Sequence, residues 1–182
     1  MFRSLVCFGV VVAAAPAAHA GVTLGAGIGP RVGGDPGVAG GSFGGEIGAV
    51  FSSAHTDAPP AMRWGFAFEA GVAVLKSSDG TLGGSDLRLV SRFQWRLGSV
   101  YVGTRAGVAG HFYQFKPKNG DAMSETKQFG FTIGPELAWP INERTAFEAR
   151  LSYDATNADL DDKPNGHPPH AVDLFVGISR EF

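Results

Sequence analysis

Five histidines are the residues of this chain best suited to acid–base chemistry, and their surroundings decide whether they perform any. Only His111 lies in a segment that predicts a strand, where it shares a face with Tyr113. An enzyme that used His111 as a base would also need a nucleophile and a carboxylate that orients the base. Because no serine stands in a recognisable nucleophile setting, we predict no catalytic residue and expect His111 to bond groups at a rim of the fold.

The acidic segment Asn157–His170 is the stretch most suggestive of a metal ion. Asn157, Asp159 and Asp161 alternate as ligands do at the start of a calcium-binding loop. The position that requires glycine holds Asp162, however, and no glutamate closes the loop. A solvated acidic loop fits this composition better, so the sequence predicts neither a metal site nor a cofactor.

The segment 1–20 is typical of an export signal rather than of a folded element. Arg3 supplies the positive start, Leu5–Ala15 is apolar, and Ala18–Ala20 has the small-residue pattern that precedes cleavage. The apolar stretch is too short for a membrane helix. We predict that this signal peptide is cleaved, which leaves 21–182 as a single domain.

Charge and cysteine content exclude several classes of protein. Cys7 is the only cysteine and falls in the predicted signal, so no disulfide is expected in the mature chain. The formal net charge is −2 and no block of Lys or Arg occurs, which gives nucleic-acid binding no support. No later stretch approaches the eighteen consecutive apolar residues of a membrane helix.

Strands are the elements that must position these side chains, because almost every later segment alternates with period two. Turn-forming pairs such as Asp79-Gly80, Gly98-Ser99 and Asn165-Gly166 separate the segments. The eight predicted strands are Gly21–Val32, Phe43–Phe51, Arg63–Leu75, Ser85–Leu97, Val100–Phe115, Thr126–Trp139, Arg144–Asp154 and Ala171–Phe182.

The connections between the predicted strands differ in length. The fourth and sixth, Gly98-Ser99 and Pro140–Glu143, are tight, whereas the second, Ser52–Met62, is long. Long loops at one end and short turns at the other are typical of outer-membrane barrels, whose termini lie on the short-turn, periplasmic side. The predicted long connections at the opposite end are Gly33–Ser42, Lys76–Gly84, Lys116–Glu125 and Ala155–His170.

The two faces of the predicted strands distinguish a membrane barrel from a soluble sheet. One face is large, apolar and aromatic in every strand from the third onward, whereas the other is small and sparsely charged. A soluble sheet would place long hydrated side chains on its water face, yet all five lysines fall in loops or at strand ends. The pattern therefore favours a barrel with its apolar face outward, over a soluble periplasmic barrel.

Charged residues on the small face nearly balance in sign. Because a guanidinium group binds two carboxylate oxygens at once and stays charged when buried, we expect these residues to pair across the lumen. Alternation along the fourth strand predicts a ladder of pairs at separate heights that closes the lumen; the alternative is that the charges line a water-filled space. The predicted inward charges are Arg31, Arg88, Arg92, Arg96, Arg105 and Arg150 with Glu46, Glu69, Glu136, Glu148, Asp173 and Glu181.

Aromatic side chains predict two belts at the interfaces of a membrane. The tryptophans Trp64, Trp95 and Trp139 all fall at strand ends on one side of the predicted barrel, together with Phe51 and Phe182. The belt predicted at the other ends contains Phe112, Phe129 and Tyr153.

The last predicted strand, Ala171–Phe182, resembles the closing strand of bacterial outer-membrane proteins. The chain ends in Phe182, with Gly177 upstream, whereas Arg180 departs from the apolar residue usual in that family. Hydrophobic residues stand at the matching alternate positions Leu174, Val176 and Ile178.

The mature chain as a whole resembles the small OmpA/OmpX-type or porin-like outer-membrane β-barrel domains. The resemblance implies an all-β fold, an eight-stranded antiparallel up-and-down transmembrane β-barrel in the cell outer membrane. It also implies outer-membrane lipids as surroundings, and the barrel-assembly machinery and periplasmic chaperones as partners during biogenesis. The motif is generic and identifies an architecture, not an activity.

Three functions remain open for such a barrel. The leading hypothesis is a non-enzymatic integral outer-membrane protein with a structural role or a surface interaction through its extracellular loops. The alternative is a small porin-like channel for ions or solutes, and a lipid-modifying enzyme is less favoured. No ligand or oligomeric state follows from the sequence.

Overall fold

The computed structural model describes residues 17–33, 38–53, 60–120, 124–157 and 170–182. Most of the predicted signal peptide therefore lies outside the described residues, as do His55, His167 and most of the acidic segment before His170. The predicted cleavage of the signal stays a prediction.

Eight antiparallel strands close into one barrel, in which each strand pairs with the next and the last pairs with the first. This confirms the predicted eight-stranded up-and-down fold. The strands are β1 (Ala17–Gly33), β2 (Ala39–Ser53), β3 (Met62–Lys76), β4 (Gly80–Leu97), β5 (Val100–Pro117), β6 (Ser124–Pro140), β7 (Thr145–Asn157) and β8 (His170–Glu181). We call the end with the β1–β2, β3–β4, β5–β6 and β7–β8 connections the distal end, and the other the proximal end.

Two strands begin earlier than their residue types predict. The long connection predicted over Lys76–Gly84 is wrong, because β4 begins at Gly80 and only three residues join it to β3. Ser77 closes this turn, since its amide donates to the carbonyl of Gly80 at 2.9 Å. Glycines that favour a loop by composition continue the ladder here, because backbone pairing needs no side chain. β2 likewise begins at Ala39 rather than Phe43.

β1 also extends beyond its predicted start. It begins at Ala17, inside the segment interpreted as a signal peptide, and Ala17 pairs with Ser53 of β2. Cleavage after Ala20 would remove only the first four residues of this strand, and the pairing of Gly21 with Val50 would then start the ladder.

Burial is inverted relative to a water-soluble protein, as the alternation predicts. Phe131 and Ile28 on the outer surface are 68% and 63% exposed, whereas Arg31 and Asp154 inside are 1% and 0% exposed. The described residues contain no helix of the length and hydropathy needed to cross a membrane. Large exposed apolar residues occur on all eight strands, with Val22, Phe43, Phe66, Leu89, Val108, Ile133, Leu151 and Leu174 as examples.

The aromatic residues lie at the heights that the sequence predicts. At the proximal end Phe51 stacks on Trp64, with ring centroids 4.4 Å apart, and at the distal end Phe112 meets Phe129 edge-on at 5.6 Å. Tyr153 in turn stacks on His170 at 5.7 Å. Strand register, rather than chance packing, therefore sorts these rings into two groups.

The narrow interior depends on close approach of neighbouring strands. A Cβ atom added at Gly107 would meet the backbone carbonyl of Leu89, and one added at Gly134 would meet that of Leu151. Backbone cannot move aside as a side chain can, so these positions tolerate only glycine. The tight β4–β5 turn also needs glycine, because Gly98 has φ +64°.

Candidate functional site in the barrel interior

The proximal half of the lumen holds arginines among glutamates, all from different parts of the chain. Alternation on each strand turns these side chains inward, and barrel closure brings them to one level. Every member is buried. We call this set the glutamate layer; its members are Arg92, Arg105 and Arg150 with Glu46, Glu69, Glu136 and Glu148.

Arg92 joins three strands other than its own. Its Nε donates to Glu136 at 3.0 Å, its Nη1 to Glu46 at 3.0 Å, and its Nη2 to Glu148 at 3.2 Å. The side chain is 6% exposed. A guanidinium group suits this position because its donors point in fixed, divergent directions.

Arg150 holds the other side of the layer together. Its Nη1 lies 2.7 Å from Glu46 and 2.9 Å from Glu69, and its Nη2 lies 2.9 Å from Glu148. The guanidinium carbon also lies 4.4 Å from the ring centre of Phe175. Arg105 adds a second partner for Glu69 at 2.5 Å.

A second layer lies nearer the distal end and uses aspartate. Arg88 donates to Asp154 at 2.8 Å and to Asp173 at 3.2 Å. Its other terminal nitrogen lies 3.9 Å from Glu69, which connects the two layers. We call this set the aspartate layer; its members are Arg31, Arg88 and His111 with Asp86, Asp154 and Asp173.

His111 is a member of this network and not a rim residue. Its Nδ1 contacts Asp86, which also accepts hydrogen bonds from Arg31 at 2.5 Å and from Tyr113 at 2.6 Å. The imidazole is 2% exposed and stacks on the Tyr113 ring. Its Nε2 lies 3.5 Å from Asp154 and has no hydrogen-bond partner among the described residues. The predicted inward direction is correct, whereas the expected bonding to groups at the rim is wrong.

Apolar side chains cover the aspartate layer at the distal end. Leu75 and Leu82 face each other across β3 and β4, with 1% and 6% exposure. Phe115 packs against them from β5. We call this group the apolar cap; its members are Val38, Ala73, Leu75, Leu82 and Tyr113.

Two of the predicted inward charges lie at the proximal rim instead. Arg96 is exposed, and its Nε donates to the carbonyl of Gly98 at 3.0 Å because the strand ends one residue later. Glu181 is partly exposed, 3.8 Å from Arg63. The predicted ladder of arginines on β4 therefore has two interior steps, Arg88 and Arg92.

Sequence reasoning missed three interior features, although alternation marks two of them. Asp86 stands two residues before Arg88, and Asp154 stands four residues after Arg150, so both share the inward face of their strands. The apolar cap was hidden because Leu82 falls in the segment predicted as a loop.

Little space is left between these side chains. Among the described residues, two cavities beside the aspartate layer have volumes of about 30 Å³ and 10 Å³, and a third beside Arg92 and Glu148 has about 40 Å³, room for a few water molecules each at most. None of the three admits a lipid or sugar substrate to His111. Within the described residues no group of three or more His, Cys, Asp or Glu side chains is arranged to hold a metal ion.

Comparison with known proteins identifies the fold through solved structures. No protein-family model matches the chain, and no curated protein sequence matches it. Neisserial surface protein A covers 90% of this chain and 97% of its own, with a TM-score of 0.60 and 12% identity. A major outer-membrane protein of Thermus thermophilus covers 90% and 99%, with a TM-score of 0.60 and 16% identity.

A third solved structure agrees with these two. The N-terminal β-barrel domain of Pseudomonas aeruginosa OprF covers 89% of this chain and 97% of its own, with a TM-score of 0.57 and 15% identity. Identities this low carry information about the fold and not about activity. The chain has the closed eight-stranded β-barrel fold that is found in small bacterial outer-membrane proteins.

Proposed function

We propose that this chain is an integral outer-membrane protein with a closed lumen and no enzymatic activity. Its role is structural, or consists of a surface interaction through the loops at the distal end. The observation that carries the proposal is the inverted burial, with apolar side chains outside on all eight strands and ion pairs inside. The similar outer-membrane barrels support the same location.

The outer surface fits lipid and not water. Exposed apolar residues such as Leu89, Val108 and Phe131 lie side by side on successive strands around the barrel. Soluble monomers rarely expose apolar patches of more than a few hundred Å². Each Å² of such surface removed from water contributes about 25 cal/mol. Two aromatic groups at opposite ends match the two interfaces of a membrane. Outer-membrane lipids are therefore the proposed surroundings, and the barrel-assembly machinery and periplasmic chaperones the proposed partners in biogenesis.

The filled interior favours a structural role over the porin-like channel. An ion crossing the lumen would have to displace the bonds of Arg92 and Arg150 in the glutamate layer. It would then meet Arg88 and Arg31 in the aspartate layer, and finally the apolar cap. Buried charges that lose a partner are strongly destabilising, so these layers resist opening.

The surroundings of His111 disfavour the enzyme. Its near neighbours are Asp86, Asp154, Arg31 and Tyr113, and none of them is a serine or cysteine nucleophile. The hydroxyl of Tyr113 donates a hydrogen bond to Asp86, and its ring belongs to the apolar cap. The arrangement supports a network that fixes the distal half of the barrel.

Membrane fractionation and conductance test this proposal together. The full chain, expressed in a Gram-negative host, is expected in the outer-membrane fraction, extractable only by detergent, as a band whose mobility changes on heating. The purified protein in planar bilayers is expected to show no steady current. Recovery in the soluble periplasm would refute membrane insertion, and a steady open-channel current would refute the closed lumen.

A further inference from the structure

An open groove lies on the outer surface of the barrel at its distal end. Its volume is about 770 Å³, and the strands β3 to β6 line it. The outward face of β4 forms its floor, where Gly83 and Ser85 stand in line with the large apolar residues Leu87 and Leu89. A Cβ atom added at Gly83 would meet no heavy atom within 4 Å, so this floor opens directly to the surroundings.

The walls of the groove are apolar on the side of the membrane centre. Val72 of β3 lies opposite Ser85, which in turn lies opposite Phe112 of β5. Phe112 belongs to the distal aromatic group through its contact with Phe129. The groove therefore crosses the height at which the apolar band ends and the headgroup region of a membrane begins.

The rim of the groove carries positive charge. Lys127 lies opposite Phe112, and Lys116 lies four residues further along β5. At 3.4 Å per residue along a strand and 4.8 Å between strands, the two backbone positions are about 14 Å apart. Lys76 stands at the level of Lys116, because both pair with Thr81.

Among the described residues that line the groove, Glu125 is the one carboxylate, and the lysines outnumber it. Glu125 accepts a hydrogen bond from the amide of Gln114 at 3.2 Å. Among the described residues neither Lys116 nor Lys127 forms an ion pair with a carboxylate. Two or three lysines around one glutamate suit a ligand with more than one negative group.

We infer that this groove binds lipopolysaccharide, the phosphorylated and acylated glycolipid of the outer leaflet. An acyl chain lies over Gly83 and along Val72, and the phosphates of the headgroup meet Lys116 and Lys127. The inference rests on the proposed function, since the distal groove meets this lipid only in an outer membrane. A lipid with both an acyl chain and a phosphorylated headgroup is required, because the apolar floor and the cationic rim belong to one continuous groove.

Binding of purified lipid A, the membrane anchor of lipopolysaccharide, tests the inference. The full-length folded protein in detergent is titrated with lipid A and followed by native mass spectrometry. The double variant Lys116→Gln/Lys127→Gln is expected to bind about 30-fold more weakly. Each lysine next to an anionic headgroup increases the affinity about fivefold to sixfold, and the two factors multiply. Gly83→Phe fills the floor and is expected to bind about 15-fold more weakly, because about two methylenes of the acyl chain lose their burial.

Matched controls distinguish binding of lipid A in the groove from binding elsewhere on the outer surface. Ala70→Phe adds the same ring to an exposed outward position of β3 outside the groove, and its affinity is expected to equal that of the unmodified protein. With lipid A from which the phosphates have been removed, the lysine variant and the unmodified protein are expected to bind with the same affinity. A heat-modifiable band checks that each variant is folded.

Two results would overturn the inference. Equal binding by the unmodified protein and both groove variants would remove the groove as the site, and equally tight binding of phosphatidylglycerol would remove lipopolysaccharide as the occupant. Either result, with the protein still in the outer-membrane fraction, leaves the proposed function standing. Loss of the outer-membrane location itself would refute the proposed function instead.

Discussion

Glu46 and Glu69 face each other directly across β2 and β3, both turned into the barrel. Two like charges in that arrangement repel and destabilise a sheet. Arg150 removes the conflict, because its Nη1 lies 2.7 Å from one carboxylate and 2.9 Å from the other. Local pairing of β2 with β3 is therefore tolerated because other strands supply cations. Arg150 of β7, on the far side of the lumen, is shared by both carboxylates, while Arg92 contacts Glu46 and Arg105 contacts Glu69.

Removing this shared cation is expected to destabilise the fold strongly. Arg150→Met should lower the free energy of unfolding by about 3–5 kcal/mol, because it removes the cation that the adjacent, buried Glu46 and Glu69 share. Among the described arginines, Glu46 then keeps only its contact with Arg92, and the nearest arginine to Glu69 is Arg105. Urea unfolding of the protein in lipid vesicles, followed by tryptophan fluorescence, measures the loss. Adding Glu46→Gln to Arg150→Met should recover part of it. A double variant no more stable than Arg150→Met would show that repulsion between the two glutamates is not the cause.

Two arginines on β4 offer a matched comparison of interior and rim. Arg92→Ser should cost about 3–5 kcal/mol, since it leaves the buried Glu136 without its arginine partner among the described residues. It also removes one of two arginine partners from Glu46 and Glu148. Arg96→Ser at the exposed proximal rim should cost about 0.5 kcal/mol or less. Samples are heated to increasing temperatures before electrophoresis, and the temperature at which the folded band disappears ranks the two variants. Equal temperatures would contradict the glutamate layer as a source of stability.

The apolar cap is expected to stabilise the barrel without being the only barrier to ions. Leu82→Ala should lower stability by about 2–5 kcal/mol, as expected for a buried leucine, whereas Leu97→Ala at a 68% exposed position should cost less. Planar bilayers should show no steady current for Leu82→Ala, because both charged layers remain. A steady current from this variant would identify the cap as the sole gate.

The end of the chain closes the seam of the barrel. The amide of Phe182 donates to the carbonyl of Val22 at 2.9 Å, and the amide of Val22 donates back at 3.4 Å. Deleting Phe182 should lower the yield of heat-modifiable protein in cells, as its resemblance to an assembly signal implies. Refolding of the same variant from urea into detergent is the control. Good refolding with poor cellular yield would assign the defect to recognition, and an unchanged cellular yield would contradict the signal.

Alternation in the sequence determines the number of strands and the direction in which each side chain points. Phe66 and Phe68 point outward while Glu69 and Arg88 point inward, as the period of two predicts. An even number of such strands, each too apolar on one face for water, leaves closure as the way to satisfy every edge. The fold and the inverted character of its surface therefore follow from local information.

Partners across the lumen were decided by tertiary structure. Arg92 contacts Glu148, 56 residues away, and Arg88 contacts Asp173, 85 residues away. Both the glutamate and the aspartate lie on strands that do not pair with β4. Such contacts depend on the tilt and stagger of the closed barrel, which no single strand encodes. The exposed position of Arg96 has a related cause, because a strand end is set by the turn that follows it.

Composition misled most where glycine is dense. Gly83 and Gly84 have the residue type of a loop, yet they pair with Gln114 and Tyr113 because the neighbouring strands supply the hydrogen bonds. Their pairing extends β4, brings Leu82 into the apolar cap, and leaves Gly83 as the open floor of the outer groove. The sequence determines which face of the sheet a residue occupies. The closed sheet decides how far each strand runs and which residues its side chains contact, because strand length and side-chain contacts both depend on neighbours distant in the chain.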